Sequence, residues 1–144
     1  MKRIITDNKE MIADFVAQGI GRTQKYVAYQ AIGLEEDGQI VAGVVYSEFN
    51  GNNIVAAIRG IGKKWMTKPY LFAIFDYPFN VVGAKRITAV IDENNIKSHN
   101  FVKKLGFVYE AKLENAGETG DLYFYKMFRD ECRYLMEVNH GRHS

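Results

Sequence analysis

The sequence predicts an α/β domain: one mixed, mostly antiparallel sheet of about six to seven strands, with helices on both faces. Three observations predict it. Short β-branched or alternating runs recur along the chain with turn residues between them. Two segments, after Asp7 and after Thr67, change to helical spacing. Between Arg86 and Tyr109 the chain then sets a strand, a short helix, a glycine stop and another strand in immediate succession.

In order, Lys2–Thr6 reads as the first strand, and Asp7 as the N-cap of a helix that buries Met11, Ile12, Phe15 and Val16. Gly19 and Gly21 end that helix. Tyr26–Leu34 alternates loosely as a strand, Glu35-Glu36-Asp37-Gly38 is a hairpin turn, and Ile40–Phe49 is the returning strand. Asn50-Gly51-Asn52-Asn53 is a second turn. Ile54–Ile58, apolar on both faces, belongs at the centre of the sheet. Thr67 caps the second helix, Pro69 suits its first turn, and Leu71, Phe72, Phe75 and Phe79 form its apolar stripe. Pro78 should kink or end it early. Ile87, Thr88, Val90 and Ile91 make the fifth strand. In the helix that follows, Ile96, Phe101 and Leu105 face inward, and Lys97, Lys103 and Lys104 are left for solvent. Asn94 or Asn95 caps it and Gly106 stops it. Tyr109–Leu113 and Leu122–Phe128 are the last strands, with a loop at Gly117–Gly120; Arg129–Val138 is expected as a terminal helix and the chain from about Asn139 as a polar tail.

Length and composition bound the function classes. A chain of 144 residues suits one domain, 1–144, able to bury about 70% of its unfolded surface. A net charge of +2 gives no argument for nucleic acid, and no apolar run reaches membrane length. The single cysteine, Cys132, excludes an intrachain disulfide framework and suits a cytoplasmic setting. No metal-ligand spacing appears, and His140 and His143 fall in the tail.

The segment Gly60–Lys68 joins a strand to a helix and is one-sidedly basic. It brings Arg59, Lys63, Lys64 and Lys68 together, while no acidic residue occurs between Phe49 and Phe75. A positive strand-to-helix turn suits a polyanion such as a pyrophosphate. A Walker A loop is excluded, because Ala57 and Lys64 stand where Gly and Ser or Thr are needed. A dinucleotide glycine motif is excluded by Trp65.

Asn95, Ser98, Lys104, Gly106 and Phe107 match an Asn-x-x-Ser…Lys-x-Gly-Phe signature. There the chain resembles the GNAT superfamily of acyl-CoA-dependent N-acetyltransferases, and in particular the branch that includes the ribosomal-protein N-terminal acetyltransferases. The resemblance extends over roughly residues 3 to 128 and implies a single-domain GNAT fold. It implies acetyl-CoA as co-substrate, no metal, and direct acetyl transfer to a primary amine on a small molecule, a protein N-terminus or a lysine; it leaves homodimerisation open. It also implies that the strands Ile54–Ile58 and Arg86–Ile91 splay apart. Ala56, Ala57 and Ile58 would then pair with the pantetheine arm, and Lys63, Lys64, Trp65, Met66, Thr67 and Lys68 would lie at the pyrophosphate. Met66 and Lys68 fall where the family places glycines.

For catalysis, the family's frequent Tyr acid falls on Val102, which cannot donate a proton. Ser98 matches the donor proposed in the ribosomal-type branch, and Asn95 either meets the pantetheine or caps its helix. The base is open among Glu48, Asp92, Glu93 and Glu110, with Glu48 favoured beside the expected acceptor groove. His99 is expected on an exposed helix face, and Tyr26, Tyr29, Tyr123 and Tyr125 as strand packing. The competing readings are an acyl-CoA-binding protein without turnover and a basic interaction module without a CoA site.

Overall fold

The computed structural model describes residues 1–135. Seven strands form one sheet: β1 (Lys2–Ile5), β2 (Tyr29–Glu36), β3 (Gln39–Ser47), β4 (Asn53–Gly60), β5 (Arg86–Asp92), β6 (Val108–Leu113) and β7 (Leu122–Phe128). Their spatial order is β1-β2-β3-β4-β5-β7-β6, which puts β4 in the middle. Every neighbouring pair is antiparallel except β4 with β5. The Asp37-Gly38 turn has both φ angles positive, at 52° and 85°, the twist a two-residue hairpin needs.

The helices cover opposite faces. α1 (Lys9–Ile20) buries Ile12, Ala13 and Val16 against Ile5, Ala31 and Val45. Its N-cap is Asn8 rather than Asp7, and Gly21, with φ 74°, ends it. α2 (Lys68–Asp76) and α3 (Ile96–Leu105) pack on the other face, over Ile32, Val44, Tyr46, Ala56 and Ile58.

Pro78 does not end the second helix but changes its winding, from α2 to a π-helical turn over Tyr77–Val82. A proline has no N–H for the carbonyl four residues back. That carbonyl, on Ile74, instead accepts the buried Tyr46 hydroxyl at 2.5 Å. The freed backbone acceptor is thus satisfied by a strand side chain, which ties the helix to β3.

After β7 the expected terminal helix opens as a 3-10 turn at Arg129–Glu131. Its remainder past Leu135, the polar tail, His140 and His143 lie outside the described residues. Among the described residues no helix is long and apolar enough to cross a membrane, and no group of His, Cys, Asp and Glu is arranged to hold a metal.

Candidate active site

The parallel contact between β4 and β5 is short. It runs from Asn53 opposite Arg86 to Ala56 opposite Ala89 and stops. Beyond that point β4 stays with β3 as far as Gly60, and β5 stays with β7 as far as Asp92. The sheet therefore opens as a wedge between its two central strands. Ile61 N–H donates to Val41 and the Asn53 carbonyl accepts from Asn50, so odd-numbered backbone groups of β4 point toward β3. Even-numbered ones point toward β5, because backbone direction alternates along a strand. Ile58 and Gly60 then face the wedge with N–H and C=O free of a strand partner. Ala57 instead pairs with Val45, so its backbone is not open to an incoming chain as the resemblance implied.

The wedge is a cleft of about 190 Å³ that passes through the sheet. Asn95, Ser98 and Val102 of α3 line it from one face; Ile20, Arg22 and the loop residue Glu118 line it from the other. Next to it, between α3 and the β4–α2 loop, lies a pocket of about 200 Å³. Lys63, Lys97 and Lys104 ring this pocket, over a floor that includes Trp65, Met66 and Phe101. Lys97 and Lys104 read as solvent-facing in the sequence; their partner in the pocket wall, the 60–66 loop, is remote along the chain.

The other residues expected at the pyrophosphate divide. Trp65 is buried at 2% exposure, donates from Nε1 to the Gly62 carbonyl at 3.1 Å, and packs edge-on to Tyr70 and Phe101. A Cβ on Gly60 would meet its ring at 2.1 Å, so residue 60 must be glycine for the indole to lie there. Thr67 caps α2 by accepting from Tyr70 N–H, and Leu71 N–H bonds the Thr67 carbonyl. With Pro69 lacking an N–H, the first turn offers few free donors to an anion. Lys64 and Lys68 line neither cavity. Arg59 also leaves this field: it lies under α1, donating to the Phe15 carbonyl at 2.7 Å and stacking on the Phe15 ring. The positive charge around this pocket therefore lies on side chains of the loop and of α3, rather than at the helix terminus.

On α3, Asn95 is the N-cap and its Oδ1 accepts from Ser98 N–H at 3.4 Å. Ser98 is 7% exposed, and its hydroxyl has no hydrogen-bond partner among the described residues. The buried face of the helix is Ser98, His99, Val102 and Leu105, whereas Ile96 is 62% exposed. His99 is accordingly buried, not exposed. Its Nε2 lies 3.0 Å from the Asp92 carbonyl, which only accepts, so that nitrogen carries the hydrogen. Nδ1 then accepts from the Tyr125 hydroxyl at 2.7 Å. The sequence signal was there: Ser98, Val102 and Leu105 are spaced i, i+4, i+7.

The carboxylates sort by position. Glu48 follows β3 with φ 55°, exposed, beside the closed end of the wedge where Ser47 pairs with Val55. Three strand residues, roughly 10 Å, separate that level from Ile58, and Glu48 is not among the residues that line the cleft. Glu110 is held by Arg86 in a two-pronged pair at 3.0 and 2.5 Å, which keeps its carboxyl below the usual range. Asp92 lines the cleft but accepts from Thr119 N–H at 3.1 Å, from the Thr119 hydroxyl and from Asn94 N–H. Those bonds, the Thr119 hydroxyl first, hold its carboxyl below the usual value. Glu93 accepts from Asp121 N–H at 2.9 Å. Glu118, in a loop whose sequence carries no motif, stands at the cleft and accepts from the Thr23 hydroxyl at 3.2 Å.

Neither a family model nor a curated protein matches this chain in sequence. Solved structures do match in fold. A mutant form of the spermidine/spermine N-acetyltransferase SpeG from Vibrio cholerae superposes with a TM-score of 0.70 at 14% identity, covering 95% of this chain and 99% of that one. The structure of yncA from Salmonella typhimurium, assigned as an acetyltransferase and solved with its cofactor acetyl-CoA, gives 0.69 at 16% identity, over 90% and 95%. An assigned acetyltransferase from Acinetobacter baylyi gives 0.66 at 16% identity, over 91% and 94%. The chain thus has the single-domain α/β fold of these structures, and its sheet splits between β4 and β5, the two strands that the resemblance implied would splay apart.

Proposed function

We propose that this protein is an acetyl-CoA-dependent N-acetyltransferase that moves the acetyl group directly to a primary amine. The observation that carries this reading is the wedge itself. It is open through the sheet, carries unpaired β4 backbone at Ile58 and Gly60, and has the unpartnered Ser98 hydroxyl in its wall. A strand edge with free N–H and C=O groups takes an extended amide-bearing chain by adding to the sheet. The flanking pocket with Lys63, Lys97 and Lys104 suits the phosphates at the far end of such a chain. Fold likeness to a structure named as a spermidine/spermine N-acetyltransferase, and to one named as an acetyltransferase and solved with acetyl-CoA, supports the same reading.

When bound, acetyl-CoA supplies the activated acyl group as a thioester. Ile58 and Gly60 hold the arm, Lys63, Lys97 and Lys104 hold the phosphates, and the lining of Ala56, Ala89 and Val102 keeps water from the acyl group. Ser98 Oγ donates to the departing thiolate. A thiol of pKa about 8.5 leaves readily enough that one such bond suffices, which removes the need for a tyrosine at position 102. Titration calorimetry with acetyl-CoA, followed by thiol release with a panel of primary amines, tests the reading. Binding with amine-dependent thiol release is expected. No binding of acetyl-CoA would leave a domain that keeps the fold without the activity, and binding without release would leave an acyl-CoA-binding protein.

A further inference from the structure

On the α1 face the wedge opens beneath two loops, one after α1 and one between β6 and β7. The charged side chains lining it are Arg22, Asp92 and Glu118. Arg22 is turned outward: its Nε donates to the Gln24 carbonyl at 2.8 Å, and its guanidinium lies 3.9 Å over the Tyr26 ring. Asp92 is saturated by Thr119 and Asn94, as above. Glu118 accepts one hydrogen bond, from Thr23 to Oε1. Its second oxygen has no partner among the described residues.

The loop that carries Glu118 is fixed in place. Glu93 and Asp121 exchange hydrogen bonds: Glu93 N–H donates to the Asp121 carbonyl at 2.8 Å, and Asp121 N–H donates to the Glu93 carboxylate at 2.9 Å. Asn94 Nδ2 donates to the Thr119 carbonyl at 3.1 Å. A Cβ on Gly117 would lie 2.5 Å from Asp92 Oδ2, so loop and strand end are in close contact. Across the cleft, Ser98 lines the same space, and its hydroxyl, on a largely buried residue but not itself shut off from the cleft, has no partner among the described residues. One wall therefore offers a carboxylate, the other a hydroxyl, and the lysines stand on the far face.

We propose that Glu118 binds the acceptor's ammonium group and takes its first proton, so that the preferred acceptor is a primary amine that is cationic in solution. This rests on the acetyltransferase reading. The ammonium gives one proton to Glu118, which passes it to water. The freed nitrogen lone pair forms the C–N bond to the acyl carbon, and the C–S bond breaks with its electron pair going to sulfur. The second proton lost by nitrogen balances the one that sulfur gains through Ser98, so the amide, a thiol and one released proton are the products. Thr23 is a positioning residue: its hydroxyl holds one Glu118 oxygen and leaves the other for the amine.

The test compares Glu118→Gln, Thr23→Val and the control Glu114→Gln, an exposed carboxylate on the same loop that does not line the cleft. Kinetics use alkylamines, charged at neutral pH, beside aryl amines that are neutral there. Amine binding to the CoA-bound protein is followed in parallel by chemical-shift changes. Glu118→Gln is expected to lower kcat/KM for alkylamines by about tenfold or more, the scale of a contact to a charged group. Its effect on aryl amines should be smaller, its acetyl-CoA affinity unchanged, and Thr23→Val should shift the same ratio less. Equal loss for charged and neutral amines, or unchanged kcat/KM for alkylamines, overturns the proposal and leaves the transferase standing. Alkylamine binding that depends on Glu118 without any turnover keeps this amine site and removes the activity. Alkylamine binding indifferent to Glu118 removes the site, whatever the turnover.

Discussion

The Tyr125 hydroxyl lies 2.7 Å from His99 Nδ1, and the other nitrogen of that ring reaches the Asp92 carbonyl at 3.0 Å. One side chain thereby ties α3 to β7 and to the end of β5, immediately beside Ser98. The histidine is flanked edge-on by Tyr123 and Tyr125, and its Nδ1 bond to the Tyr125 hydroxyl is buried.

His99→Phe should therefore destabilise the protein by about 1–3 kcal/mol, because it leaves the buried Tyr125 hydroxyl unsatisfied. Tyr125→Phe should cost less, since the ring packing is kept. His99→Phe and Tyr125→Phe combined in one protein should cost less than the sum of the singles, as expected for directly bonded partners. Urea unfolding of wild type, the two single variants and the double variant measures this. Additivity would mean that the 2.7 Å contact carries no coupling.

Asp92 makes a pH prediction. Hydrogen bonds from Thr119, its hydroxyl first, hold the folded-state pKa below the unfolded value, against a smaller opposing effect of desolvation. A carboxyl depressed in this way stabilises the fold above its unfolded pKa, near 4. That contribution is lost as pH falls through the lower folded-state value. Wild type and Asp92→Asn should differ most in stability near neutral pH and converge in acid. Denaturant midpoints taken every half unit of pH would show it; a gap that widens toward acid would contradict the assignment.

What could be read from sequence and what could not divide along contact distance. β7 ends where Leu122 and Phe128 placed it, Asn95 caps α3, and Thr67 caps α2, because each depends on a few neighbouring residues. The wedge followed from a family resemblance, not from periodicity. Glu118 was invisible because its partner Thr23 lies 95 residues away, and a glycine-flanked loop residue carries no pattern. His99 was misplaced because Ile96 and Phe101 drew the buried face of α3 to the wrong side; the docking surface of β7 decides that face. Glu48 looked adjacent to a groove in chain order, but the groove opens at the opposite end of β4. Lys97 and Lys104 have the spacing of a solvated helix face, and only the Trp65 loop across from them makes a pocket.

That pocket separates two groups of lysines. Replacing Lys63, Lys97 and Lys104 together by Gln should weaken acetyl-CoA binding by roughly threefold to a hundredfold, taking each exposed charge contact at roughly 0.2–1 kcal/mol. The loss should be largest at low salt and fade as ionic strength rises, because exposed charges are screened. Replacing Lys64 and Lys68, which line neither cavity, should change affinity much less. Calorimetric titrations at two salt concentrations distinguish the groups. A greater loss from Lys64 and Lys68 would put the phosphates at the start of α2 instead.

Ser98 allows function and folding to be told apart with one atom. Its N–H, not its hydroxyl, is what the Asn95 cap binds, so Ser98→Ala keeps the cap intact. The hydroxyl has no partner among the described residues, and its removal should leave thermal stability nearly unchanged. Asn95→Ala, by contrast, should cost about 1 kcal/mol through loss of the cap. If Ser98 donates to the departing thiolate, its bond forms chiefly in the transition state, so kcat and kcat/KM should fall together. The expected size is roughly tenfold to a hundredfold, matching about 1.5–3 kcal/mol for a hydrogen bond to a developing charge. Acetyl-CoA affinity should hold. Stopped-flow thiol release under single-turnover conditions isolates the chemical step from product release. A Ser98→Ala protein with an unchanged chemical rate would assign the thiolate's proton to solvent, which a leaving group of this acidity permits.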